Sequence, residues 1–163
     1  MPLKASISVQ SIGAIARLVE ELKKPIDQDT ADEVGEEVVR EMKDQISKGI
    51  SPIKGNGRFP RYKNPDKYPK RKKPNTPVNL YLSGDFQDSL THESKQAKSG
   101  YKTEIFYEGS DQDDKEQGHR DGAHGQPKRP TIPQGSEDFS ERIRRVFSKI
   151  YRDRINSIIG NKG

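Results

Sequence analysis

The sequence predicts an α+β fold: a small antiparallel sheet packed with amphipathic helices and carrying long extended loops. Three observations lead there. Apolar residues gather in three stretches at helical spacing and one at strand spacing. The order along the chain is helix, helix, long arm, short sheet, polar loop, helix. Of the 163 residues, only 28% are hydrophobic and 34% are charged, so a core for one small domain must carry polar extensions.

Val9, Ile12, Ile15, Val19 and Leu22 recur at three- and four-residue steps, which predicts an amphipathic helix over 9–24, ended by Pro25. We treat 1–29 as an N-terminal helical arm and 30–160 as a single α+β domain, with 161–163 as a flexible tail. The domain opens on Thr30, three residues before Glu33, the spacing of a capping box. Val34, Val38, Met42 and Ile46 then form a stripe with Val39 beside it, and Gly49 is placed to stop the helix. Gly35 weakens a helix by about 1 kcal/mol, so tertiary packing must outweigh it, and a close crossing with a second helix is expected there.

The segment 49–77 carries six prolines and nine basic residues against one acid, Asp66. Proline removes backbone donors and biases its predecessor toward extended geometry, so a helix is excluded. Phe59, Tyr62 and Tyr68 make the segment more than a soluble spacer. It reads either as a flexible solvated loop or as an extended basic arm, lacking a core of its own, that packs against another subunit or protein. Val78, Leu80 and Leu82 alternate as a short strand, Ser83-Gly84-Asp85 breaks it, and 86–90 suits one helical turn. Segments 91–97 and 101–107 read as a hairpin, with Tyr101, Thr103, Ile105 and Tyr107 on one face. Residues 109–135 read as a polar loop, acidic first and basic later. A last helix is expected from Ser136, with Phe139, Ile143, Val146, Phe147, Ile150, Ile155, Ile158 and Ile159 as its apolar face.

Catalytic and cofactor chemistry find no constellation. The chain has no Cys, which removes disulfides, thiolate catalysis and Cys-based zinc sites. His119 and His124 lie near acids in a Gly-rich stretch but lack a rigid ligand spacing such as HExxH. IKGNGRFP has neither the GK[ST] ending nor the opening helix of a phosphate loop. No cofactor, metal or catalytic residue is therefore expected. The start lacks the continuous apolar region of a signal peptide, and no window approaches transmembrane length, so no membrane association is expected.

The net charge of +5 permits nucleic-acid contact. Lys67, Lys70, Arg71, Lys72 and Lys73 surround Tyr68, a combination able to neutralise phosphates and stack a base without reading sequence. A small sequence-independent nucleic-acid-binding accessory protein is one functional reading of that segment. No base-reading helix accompanies it.

The phrases GISPIKGNGRFPRY, PVNLYLSGDFQDSL and EQGHRDGAHGQPKRPTIP resemble a tailed-bacteriophage neck and tail-completion family of head–tail joining and minor tail proteins. The resemblance spans roughly residues 30–155. It implies a compact α+β domain with protruding loops, assembled as a homo-oligomeric ring between the DNA-filled head and the tail or terminating the tail tube. It further implies a non-enzymatic virion component, assembled in the host cytoplasm, with other neck, connector or tail proteins as partners and non-specific DNA contact in the channel. By the same resemblance, Arg58, Phe59, Arg61 and Tyr62, together with Arg129 and Pro130, would lie at subunit or neighbouring-protein contacts. Tyr68 joins Phe59 and Tyr62 as an aromatic anchor of the arm.

Overall fold

Four-residue steps place Val34, Val38, Met42 and Ile46 on one stripe of a helix, and that stripe is the spine of the core. The computed structural model describes residues 5–8, 27–62, 78, 80, 84–98 and 100–160. Within them the fold is α+β. Strand β1 (Ala5–Ser8) precedes helix α1 (Gln28–Ser47). A single turn, α2 (Asp85–Asp88), leads into the hairpin β2 (Leu90–Ala97) and β3 (Gly100–Tyr107). Helix α3 (Ser110–Asp121), a 3-10 turn (Ala123–Gly125), an extended stretch and helix α4 (Glu141–Gly160) follow. The expected helix over 9–24 lies outside the described residues.

The sheet is antiparallel in the order β1-β3-β2, with Ala5 opposite Ile105 and Leu90 opposite Tyr107. Thr103, Ile105 and Tyr107 are buried on one face, as alternation predicts, and Tyr101 beside them is half-buried. Helix α1 packs against both hairpin strands and also against α4. The opposite sheet face is charged. Glu93 stands across from Glu104 and Lys95 across from Lys102, like-charge pairings that disfavour the register. Ion pairs of 2.8 Å along each strand, Lys95–Glu93 and Lys102–Glu104, offset them.

Several boundaries differ from the sequence reading. Helix α1 starts earlier than Thr30: Asp27 is the cap, its carboxylate accepting from the Thr30 N–H at 3.0 Å and from the Thr30 hydroxyl at 2.5 Å. Thr30 thus serves as a donor to the cap. The helix does stop at Gly49, whose φ is 74°. Gly35 faces the hairpin, not a second helix: an added Cβ would sit 2.2 Å from Cδ2 of His92. Val78 and Leu80 are both buried, as half-buried alternation requires, but neither is in a strand, and Leu80 takes the left-handed φ of 53°.

The last helix begins at Glu141, not Ser136. Phe139 is held outside it by an antiparallel bridge to Ile53, and Ser140 N–H donates to the Pro52 carbonyl at 2.7 Å. The buried face of α4 carries Ile143, Tyr151 and Ile155, with Phe147 and Ile150 packed partly against the core. Among the described residues, no helix is long and apolar enough to cross a membrane.

The two expected excursions are also revised. Residues 49–62 form a stitched loop with a share of the protein's own core. Ile50 bridges Arg58, Phe59 N–H donates to the Gly49 carbonyl at 2.8 Å, and Ile53 and Phe59 are buried. Residues 109–135 contain a twelve-residue helix and a buried extended stretch where a polar loop was expected.

Candidate interface site

Helix α3 has almost no apolar residues, and its one buried side chain is a glutamate. Acidic Asp111 and Asp113 in its first turn and His119 and Arg120 in its last suit the helix dipole. Gly122 closes it in the left-handed conformation at φ 73°, with its N–H donating to the Gly118 carbonyl. A Cβ on Gly122 would come within 2.5 Å of the Gln126 carbonyl oxygen, so glycine is also needed for space.

Glu116 is fully buried and fixes the course of the chain beyond the helix. Its carboxylate accepts from the backbone N–H groups of Thr131 at 2.9 Å and Ile132 at 3.2 Å, and from the Thr131 hydroxyl. The Thr131 hydroxyl also meets the Tyr107 hydroxyl at 2.8 Å. One chain of hydrogen bonds therefore joins β3, the 129–133 stretch and α3. Pro130 and Pro133 keep that stretch extended, leaving the Thr131 and Ile132 N–H groups in need of an acceptor. Burial pushes the Glu116 carboxyl up to about 7, against the lowering effect of these hydrogen bonds and of Arg120 at 3.9 Å. Burial, and then the Glu116 charge, also raise the Tyr107 hydroxyl well above its ordinary value.

Arg129 ties this assembly to the 49–62 loop. Its Nε donates to the Pro60 carbonyl and its Nη2 to the Arg61 carbonyl, each at 2.9 Å, while the guanidinium lies 4.7 Å from the Tyr62 ring centroid. Ser51 donates its hydroxyl to the Pro130 carbonyl at 3.2 Å, and Arg129 N–H donates to the His119 carbonyl at 2.7 Å. Next door, Arg120 pairs with Glu137 at 2.9 Å and also donates to the Ile132 carbonyl. Between the loop, the end of α3 and the 128–130 stretch opens a cleft of about 420 Å³. Its walls carry Arg58, Arg120, Lys128 and Arg129 against Asp121 and Glu137, a formal excess of two positive charges.

The residues expected at contacts divide three ways. Arg58 and Arg61 are exposed, and Tyr62 and Pro130 are half-buried. Phe59, 7% exposed, belongs to the protein's own core, and Arg129, 2% exposed, is a tie within the chain. Both side chains are enclosed by their own protein, which leaves Arg58, Arg61, Tyr62 and Pro130 as the described members of the set with surface to offer. Tyr68 and the cations Lys67, Lys70, Arg71, Lys72 and Lys73 lie outside the described residues. Among the described residues, no three His, Cys, Asp or Glu gather as metal ligands.

Glu116 and Thr131 escaped the sequence reading because hydrophobic periodicity is blind to a buried carboxylate. The available signal was the pair of prolines flanking Thr131 and Ile132: they keep the stretch out of a helix, so its two N–H groups need an acceptor from elsewhere. No family model, curated relative or solved structure matches this chain.

Proposed function

We propose that the chain is a structural subunit of a bacteriophage neck or tail-completion ring that joins the DNA-filled head to the tail. One observation carries the reading. Two of the phrases that resemble that family, 49–62 and 116–133, are far apart in sequence yet joined in space through Arg129 and Ser51. Hydrogen bonds through buried groups make a rigid ledge of them, and Arg58, Arg61 and Lys128 are exposed there. An assembly contact needs such a surface: fixed in shape, charged at the rim and ready before the partner arrives.

Fractionation of assembling tailed particles tests the proposal. The chain should travel with joined head–tail particles, and omitting it should leave heads and tails separate. Joined particles formed in its absence would refute the reading. Replacing residues 63–73 by a short Gly/Ser linker tests the basic arm while leaving Phe59 in place. A folded variant that no longer supports joining assigns the arm a docking role. Unchanged joining removes that role, and salt-sensitive DNA binding lost with the same replacement favours the nucleic-acid reading.

A further inference from the structure

The basic cleft at the end of α3 and the acidic start of the same helix are complementary, but one molecule cannot bring them together. Glu108, Asp111 and Asp114 are exposed at the start, with no ion pair to them among the described residues. Twelve residues of helix separate that end from the cleft by about 18 Å. At the other end, Arg58 and Lys128 are exposed on the cleft wall, again without an ion pair among the described residues. The other two wall cations are engaged within the chain, Arg120 by Glu137 and Arg129 by the Pro60 and Arg61 carbonyls.

We infer that the cleft receives the acidic start of α3 from a second copy of this chain. The inference rests on the structural-subunit reading and identifies the surface by which copies meet. Cleft and acidic end are different patches, so the contact is heterologous, and repeating it builds a closed ring or an open chain. A volume of about 420 Å³ suits the side chains of a narrow protrusion better than a duplex. Asp121 and Glu137 on its walls disfavour a run of phosphates, yet they can flank a helix end bearing separate carboxylates. Lys115, exposed one residue past Asp114, gives the incoming end a cation of its own for those acids.

Sedimentation of the full chain at low salt tests this directly. The wild type should self-associate, and raising salt should weaken it because the paired charges lie at the rim. Two variants each reverse one patch: R58E/K128E and D111K/D114K. Each should associate about tenfold or more weakly than wild type. An equal mixture of the two should recover association, because each variant's altered patch matches the other's. The milder R58Q/K128Q, with circular dichroism on every variant, keeps the test valid if a reversal disturbs folding. A wild type that stays monomeric, or association indifferent to both reversals, overturns the inference. So does a fluorescent single-stranded oligonucleotide that binds the wild type and is lost from R58E/K128E, since the cleft would then take phosphate. Failure here with normal incorporation into joined particles leaves the proposed function standing. Charge-dependent association by a chain absent from such particles does the reverse.

Discussion

Glu116 holds its proton in the folded protein over a pH range where the unfolded chain has lost it. Its carboxyl rises from 4.5 to about 7 because burial disfavours the charge. A raised folded value means the associated stability is complete below the unfolded value and is lost as pH rises through about 7. The difference amounts to about 3 kcal/mol. Urea unfolding between about pH 5 and 8 should therefore show a declining midpoint, and Glu116→Gln should flatten that decline. An unchanged slope in the variant would remove Glu116 as its source. Gly35 supports a second prediction. Alanine there gains helix propensity but drives a Cβ into the His92 ring, so Gly35→Ala should cost about 1–2 kcal/mol. In a His92→Ala background the same change should become neutral or stabilising by up to about 1 kcal/mol. The need for a close contact at Gly35 was legible in the sequence, whereas the identity of the neighbour was not. A helical stripe records which face is buried, but nothing in it names a half-buried histidine on a strand 57 residues later.

Helix α1, the hairpin and most of α4 were legible because each has an apolar face with the period of its own geometry. Their ends were less so. Asp27 and Thr30 are both good caps, and a capping-box spacing from Thr30 concealed the start one turn earlier. Phe139 fits the stripe of α4 but is claimed by Ile53, because the 49–62 loop needs a partner for its buried edge. That loop is the clearest case of an element misread from composition. Proline and arginine density suggested an open arm, while Ile53 and Phe59, the only large apolar groups in it besides Ile50 and Tyr62, anchor it inside. Phe59→Ala should accordingly destabilise the whole protein by about 3 kcal/mol, as truncation of a core aromatic does. A cost near zero in chemical unfolding would restore the open-arm picture for these residues. Helix α3 was invisible to periodicity because its anchor is polar.

At the scale of the whole molecule, the same hydrogen-bond chain makes distant segments rise and fall together. Amides of Arg129, Thr131 and Ile132 should be protected from hydrogen exchange about as strongly as those of central β3, since their acceptors sit in α3. The exposed end of the hairpin near Gln96 should exchange much sooner. Early exchange at Thr131 would show that α3 and the 129–133 stretch open apart from the core. The sequence alone settled the fold class, the buried faces of α1, β3 and α4 and the absence of Cys chemistry, because these depend on periodicity and composition read locally. Tertiary structure decided which polar residues are inside. It enclosed Glu116 and Arg129, drew Phe59 into the core, and set two remote phrases around one basic cleft. The physical reason is that a buried polar group is tolerated only where partners from elsewhere in the chain satisfy it, and those partners become neighbours only on folding.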